Sequence, residues 1–363
     1  MSAPARTRLP PETFELPVER IRAGRYTDAY FNHARELLEW DGYRPRVLMQ
    51  FFQRERTVLG GMDEAIGILR TCAGRLADGV WRDGWPDIEV HALHDGDDVE
   101  PWETVMTVEG DYALYAHLET VMLGVLARRT LVTRNVREVV RAARGKPVLY
   151  FAARFDHWAV QPGDGWAARV GGASAVSTDA QAAWWDGRGI GTVPHALIAA
   201  YGGDTVRAAQ RFADRFAGEL DVTVLVDFEN DSVGTAVAVA DALGDRLWGV
   251  RLDTSDSLVD RSLWQEMGSF RPTGVVPELV RKVRRALDAA GHEQVRIVVS
   301  GGFTAERIAA FEDAGTPVDA YGVGSVLIRG RNDFTADVVR ADGRPSAKVG
   351  RWERPNPRLS PVA

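Results

Sequence analysis

Beyond residue 145 the chain alternates short, nearly unbroken apolar runs with longer stretches of helical period. The runs are Val148-Leu-Tyr-Phe-Ala-Ala153, Val222-Thr-Val-Leu-Val-Asp227, Leu247-Trp-Gly-Val-Arg-Leu-Asp253, Val295-Arg-Ile-Val-Val299 and Ala320-Tyr-Gly-Val323, with Ile190-Gly-Thr-Val193 a further short one. A strand stays apolar throughout when both its faces are covered, as in a parallel sheet flanked by helices. Repeated βα units of this kind predict a parallel barrel or a doubly wound sheet. Acids or small polar residues end several runs: Asp227, Asp253, Ser300 and Ser325. Barrels carry active sites on that C-terminal edge, which favours an enzyme.

The first part of the chain has a different rhythm. Residues 1 to about 20 are proline-rich and read as an extended arm. Helical character over 26–38 precedes the strand Arg46-Val-Leu-Met-Gln-Phe-Phe52, a helix over 62–76, the strand Ile88-Glu-Val-His-Ala-Leu93 and another at 105–108. Asp111 opens a long amphipathic helix with Leu114, Leu118, Val121, Met122 and Val125 on one stripe, and a second helix runs from 135 to 144 before Gly145. The last stretch, from Asp337-Val-Val-Arg340 through Ala347-Lys-Val349, predicts two short strands around Asp342-Gly343. The expected division is an α+β domain at 1–110, an α/β barrel at 111–330, and a segment at 331–363 that returns to the first domain.

Composition narrows the classes. The 363 residues are 45% hydrophobic and 26% charged, as in a globular protein. A net charge of -7 argues against a general nucleic-acid or anionic-membrane surface. Cys72 is the sole cysteine, which rules out an intrachain disulfide and a thiolate metal site and leaves packing as its role. No apolar run is long enough to span a membrane, and the polar N-terminus is no signal peptide, so the cytoplasm is expected. The eleven tryptophans are scattered from Trp40 to Trp352, a packing pattern rather than a recognition platform.

Two runs near the C-terminus end in glycine turns, Ser300-Gly-Gly302 and Tyr321-Gly-Val-Gly-Ser325, separated by a helix. Neighbouring turns of this kind can surround a phosphate with backbone N–H groups; tight turns without a ligand are the alternative. Gly191-Thr-Val-Pro-His195 places a histidine where a helix begins. It can act as a base or take a phosphoryl group, with strand-ending Asp227 fixing its tautomer, or simply pack there. Arg251 and Asp253 share one side of a strand: a cation for an anionic group, and an acid for ribose hydroxyls or Mg²⁺, unless they form a structural pair. Arg154 supplies a second strand-end cation, suited to a carboxylate or pyrophosphate. Most arginines from Arg128 to Arg144 read as a solvated helix face, with Arg134 within reach of a phosphate.

Taken together and in order, these pieces resemble the nicotinate phosphoribosyltransferase family, in its shorter archaeal-like branch. The matching segments are Thr27-Asp-Ala-Tyr30-Phe, Val108-Glu-Gly-Asp-Tyr112, Gly171-Gly172, Gly191-Thr-Val-Pro-His195-Ala-Leu-Ile198, Leu225-Val-Asp227-Phe, Val250-Arg-Leu-Asp253-Thr, Ser300-Gly-Gly302 and Tyr321-Gly-Val-Gly-Ser325. Asp337-Val-Val-Arg340 and Lys348 fit the family's closing segment. The resemblance implies a type II phosphoribosyltransferase: an irregular α/β barrel with an N-terminal α+β sandwich domain, as a homodimer with shared active sites. It implies transfer of phosphoribosyl from phosphoribosyl pyrophosphate to nicotinate with Mg²⁺, coupled to ATP hydrolysis, in NAD biosynthesis. His195 then matches the phosphorylated histidine, Asp227 its orienting acid, and Arg251 and Asp253 the phosphoribosyl site. Ser300, Gly301, Gly302, Gly322, Gly324 and Ser325 match the phosphate loops, Arg154 a substrate-pocket cation, and Tyr30 an aromatic that a neighbouring subunit stacks on the pyridine. Two departures lie near that pocket. Many relatives have two arginines where this chain has Arg154-Phe155, and many follow the glycine pair with Asp-Gly where this chain has Ala-Ser-Ala-Val-Ser-Thr178. Both bear on the acceptor base. The other readings are a decarboxylating quinolinate phosphoribosyltransferase and a non-catalytic phosphoribosyl-ligand sensor.

Overall fold

The computed structural model describes residues 7–363; the first residues of the expected arm lie outside them. The main strands are β1 (Arg46–Phe52), β2 (Ile88–Ala92), β3 (Thr104–Asp111), β4 (Val148–Tyr150), β5 (Ala175–Val176), β6 (Thr223–Leu225), β7 (Gly249–Leu252), β8 (Arg296–Val299), β9 (Ala320–Val323) and β10 (Thr335–Ala341). The main helices are α1 (Ala29–Asp41), α2 (Met62–Cys72), α3 (Glu119–Ala142), α4 (Gln161–Gly171), α5 (His195–Ala200), α6 (Thr205–Phe216), α7 (Ser232–Leu243), α8 (Pro277–Ala289) and α9 (Ala305–Asp313). The chain forms two compact units: residues up to 134 together with 330–363, and residues 135–329. Among the described residues no helix is long and apolar enough to cross a membrane.

The first unit is built on an antiparallel sheet ordered β10-β1-β3-β2, extended by Arg344–Pro345 at one edge and Ser360–Pro361 at the other. The C-terminal segment therefore does supply strands to the N-terminal sheet, with Phe51 of β1 facing Ala336 on one side and Met106 on the other. The strand after Asp342-Gly343 is Arg344–Pro345; residues 347–349 stay outside the sheet. From Val47 to Phe52 β1 is wholly buried, and Cys72 packs in the same core. The expected extended arm is instead a 3-10 turn at Pro11–Phe14 and a short helix at Val18–Arg22, pinned by buried Phe14 and Ile21.

Two helix boundaries differ from expectation for local reasons. Helix α2 stops at Cys72 rather than 76, because Gly74 (φ 143°) starts a hairpin that turns on Asp78 (φ 53°) and Gly79 (φ 74°). Two left-handed residues are what a two-residue hairpin turn requires. The helix expected at Asp111 starts only at Glu119. The Asp111 carboxylate instead accepts from Ala113 N (3.0 Å) and caps a 3-10 turn. From there α3 runs unbroken for 24 residues through the expected interruption. Between the two expected helices Thr130 and Thr133 are buried, and Thr130 exchanges hydrogen bonds with the Gly60 backbone, 3.1 Å each way.

The second unit is a curled, all-parallel sheet ordered β6-β7-β8-β9-β4-β5. Register aligns Val224, Val250 and Ile297 across neighbouring strands, all fully buried, which explains the unbroken apolar runs. Its two edges are tied by segment 190–193. Ile190 N donates to Val176 O of β5 (2.8 Å), and Val193 N donates to Thr223 O of β6 (2.8 Å). A mixed α/β barrel of irregular closure results, as expected. The apolar runs outlast the paired strands, so Phe151, Asp227 and Asp253 lie just past the strand ends, on the C-terminal edge.

Candidate active site

A cleft of about 620 Å³ opens on that edge of the barrel unit, walled by Phe151, Phe155, Thr192 and the glycine turns 300–302 and 322–325. A hollow of about 700 Å³ at the opposite edge, beside Asp221 and Trp248, holds none of the expected site residues. Arg154, Arg251, Asp253, Ser300, Gly301, Gly302, Gly322, Gly324 and Ser325 all line the cleft. Pro194 does too, and His195 follows it as the first residue of α5.

His195 Nε2 lies 3.0 Å from Asp227 Oδ1. An ionised carboxylate only accepts, so Nε2 carries a proton, and the neutral ring then has its lone pair on Nδ1. Asp227 is nearly buried while His195 is 39% exposed, so the acid is fixed and the imidazole presented. The hydrogen bond to Asp227 raises the His195 pKa above its ordinary 6.5, partly opposed by burial. The structure thus brings together the histidine and the acid that the sequence analysis paired.

Arg251, Ser300 and Asp253 form a second system. Arg251 Nε donates to Ser300 Oγ (2.8 Å), Ser300 Oγ donates to Asp253 Oδ1 (2.6 Å), and Arg251 Nη2 stands 3.6 Å from Asp253 Oδ2. Burial lowers the Arg251 pKa from its ordinary value, and Asp253 and Asp227 oppose the drop. The Ser300 hydroxyl is therefore committed to holding the charged pair. Beneath it, the Arg251 guanidinium lies 4.9 Å over the Phe151 ring.

The glycines are explained by space and by backbone. Gly301 (φ 91°) and Gly302 (φ 73°) are left-handed, where only glycine is unstrained. A Cβ on Gly322 would meet the Phe151 ring at 2.8 Å, and one on Gly324 the Phe155 ring at 2.7 Å. Those two glycines thus let the aromatic wall of the cleft pack directly on β9. Among the described residues, the N–H groups of Gly301, Gly302 and Phe303 have no acceptor, which leaves them for a ligand.

Arg154 has no hydrogen bond or ion pair among the described residues, and its guanidinium lies 5.1 Å over Phe155. Tyr30 is not among the cleft residues; it sits on α1 in the first unit, 62% exposed, its hydroxyl 3.4 Å from Asp28. Arg134 is engaged elsewhere, with Glu55 (2.9 Å) and the Arg331 carbonyl (3.2 Å), so it is no phosphate ligand in this arrangement. Arg329 was missed from the sequence and lines the cleft, as do Ser177, Thr178 and Thr192, which the sequence analysis named only within longer segments. Arg329 Nη2 donates to Ser325 Oγ (3.3 Å). A cation just after the second glycine turn was the available signal.

The chain is similar to several known proteins. The family model described as quinolinate phosphoribosyl transferase, N-terminal domain, matches residues 28–130. A crystal structure of nicotinate-nucleotide pyrophosphorylase from Pyrococcus furiosus is 31% identical, with TM-score 0.78 over 96% of this chain and 85% of that one. Nicotinate phosphoribosyltransferase pncB1 of Mycobacterium tuberculosis is 32% identical over 72% of this chain and 55% of its own length. The chain belongs to the nicotinate phosphoribosyltransferase family. Human nicotinic acid phosphoribosyltransferase shares the type II phosphoribosyltransferase fold (TM-score 0.64, 18% identity, 88% of this chain and 76% of that one). The chain spans about half the length of the curated nicotinate phosphoribosyltransferases it matches, 55%, 47% and 45%.

Proposed function

We propose that this chain is a nicotinate phosphoribosyltransferase, joining nicotinate to phosphoribosyl pyrophosphate and releasing pyrophosphate, with ATP hydrolysis, in NAD biosynthesis. The observation that carries the reading is the pairing, around one cleft, of a presented His195–Asp227 dyad with an Arg251–Ser300–Asp253 system and two glycine turns. A bare phosphate sensor needs the turns but not the dyad.

The roles follow from position. The free amides of Gly301, Gly302 and Phe303 receive the 5′-phosphate, with Ser325 and Arg329 on the neighbouring turn. Arg251 faces the anionic substrate, and Asp253 accepts from ribose hydroxyls. Phe151 and Phe155 offer flat apolar walls for the pyridine, and unpartnered Arg154 takes its carboxylate. Arg251 is already held by Asp253, which leaves Arg154 as the cation free at the base. A monocarboxylate suits this better than quinolinate, whose second carboxylate would lack a partner. As the sugar C1–O bond to pyrophosphate breaks, the ring nitrogen bonds C1, and the protein's work is alignment and charge stabilisation.

His195 would take the γ-phosphoryl of ATP on Nδ1 as ADP departs, and water would later cleave the N–P bond. The new dianion beside the pyrophosphate site links ATP to the transfer. Mg²⁺ fits a site of this kind: one cleft carboxylate, Asp253, plus phosphate oxygens is its usual environment, and there it would neutralise charge on the leaving group. A second copy of the chain is the expected partner. Helix α1 buries none of its residues and exposes Tyr30, Leu37 and Trp40, an apolar surface suited to another subunit.

The test is mononucleotide formation from nicotinate, and separately from quinolinate, with and without ATP, for the wild type and His195→Ala. ATP-stimulated product from nicotinate, with the stimulation lost in the variant, is expected. Product from quinolinate alone would move the chain to the decarboxylating class that the matched N-terminal family model describes.

A further inference from the structure

Arg307 is not among the residues that line the cleft and takes no part in the roles above. It is in the first turn of α9, where Thr304 Oγ1 caps its backbone N–H (3.3 Å). Its guanidinium reaches back along the chain. Nη1 donates to Gly301 O (2.8 Å) and is 3.5 Å from Gly302 O, and Nη2 donates to Val275 O (2.6 Å). The cation sits 4.3 Å over the Phe303 ring, and Phe303 itself is 2% exposed. This is a planar fork held on three sides: by the turn, by the segment leading into α8, and by an aromatic face.

A peptide is planar and trans, so fixing a carbonyl on one side fixes the following N–H on the other. Arg307 draws the Gly301 and Gly302 carbonyls outward. The partner N–H groups of those two peptides belong to Gly302 and Phe303, and both lack an acceptor among the described residues. Two consecutive left-handed glycines would otherwise sample many orientations, since glycine has the widest backbone freedom of any residue. The guanidinium removes that freedom before a ligand arrives. We infer that Arg307 is a positioning residue for the phosphate cradle: it holds the backbone of Gly301 and Gly302 so that their cleft-side amides are preorganised for a phosphomonoester. Its charge also stands behind the turn, where it adds to the field an anion meets without contacting it. Lysine has no planar fork: its donors all sit on one nitrogen, which cannot reach the Gly301 and Val275 carbonyls from two fixed positions as Nη1 and Nη2 do.

The inference rests on reading the turn as the phosphoribosyl 5′-phosphate site, so the experiment uses a binding readout independent of turnover. Ribose 5-phosphate affinity is measured by calorimetry for the wild type, Arg307→Ala and Arg307→Lys, alongside KM for phosphoribosyl pyrophosphate, KM for nicotinate, and thermal unfolding. The expected result is a tenfold or greater loss of ribose 5-phosphate affinity in Arg307→Ala. A matching rise should appear in KM for phosphoribosyl pyrophosphate, with KM for nicotinate within about twofold. Arg307→Lys should fall between, and it serves as the test should the alanine variant not fold. Unchanged ribose 5-phosphate affinity in a folded variant overturns the inference, as does an equal loss for both substrates. A wild type that binds no ribose 5-phosphate overturns it together with the phosphate site. A wild type that binds ribose 5-phosphate but makes no mononucleotide sinks the proposed reaction and leaves the role of Arg307 standing.

Discussion

Histidines 195 and 117 show how differently one residue type behaves in two settings. His195 is presented at a helix start beside an acid that raises its pKa. Imidazolium has no lone pair on Nδ1, so ATP stimulation should rise with pH through a midpoint above 6.5. Asp227→Asn removes the charge that raises the pKa and should move that midpoint downward; an unmoved midpoint in a pH–rate series would reject the dyad. His117 is fully buried, donates Nε2–H to Cys72 O (3.2 Å), and has no partner for Nδ1 among the described residues. Burial, with Arg35 nearby, depresses its pKa to about 3. Below pH 6.5 the unfolded chain takes a proton there while the folded one does not, so stability falls as pH drops from 6.5 towards 3. The loss is roughly 2 kcal/mol by pH 5. Denaturant unfolding at pH 7 and pH 5 should show it, and His117→Gln should flatten that part of the profile. His195 was legible from the sequence because a Pro-His helix start lies among recognisable neighbours. His117 was not, since its character comes from residues distant in sequence.

Among the elements, the parallel strands were the most legible and the helix ends the least. Burial on both faces of β6 to β9 writes a continuous apolar signal, whereas the end of α2 was settled by the backbone turn at Gly74, the start of α3 by the Asp111 cap and its continuity by the Thr130–Gly60 hydrogen bonds. Close approach also decides α4. Gly165 lies mid-helix, where a Cβ would stand 1.9 Å from the backbone oxygen of Gln181. Nothing flexible can yield there. Gly165→Ala should destabilise the barrel unit by about 3 kcal/mol or more, seen as a fall in the thermal midpoint. Gly191 has open space around the corresponding position, and its alanine variant is the control that should stay within about 0.5 kcal/mol of wild type.

For the whole molecule, the exposed aromatic face of α1 and the assignment of Tyr30 to a neighbouring site make a joint prediction. Tyr30→Ala should raise KM for nicotinate, and His195→Ala should lose ATP stimulation. When the two variants are co-expressed, a mixed dimer should contain one site free of both lesions. Random pairing would then restore ATP-stimulated activity at low nicotinate to about a quarter of wild type. No restoration, with dimers confirmed by sedimentation, would place Tyr30 and His195 in the same site of one chain and reject sharing.

The sequence by itself determined the barrel of parallel strands, the residues at their C-terminal ends and the family, because those features are written locally: two-sided burial gives apolar runs, and left-handed or crowded positions demand glycine. Only the tertiary structure decided which charges are free. Arg134 is spent on Glu55, and the Ser300 hydroxyl on Arg251 and Asp253. Arg154 has no hydrogen bond or ion pair among the described residues, Arg329 enters the cleft, and Arg307 holds the Gly301 carbonyl of the turn. Pairing depends on side chains far apart in sequence meeting in space, and no local pattern carries that information.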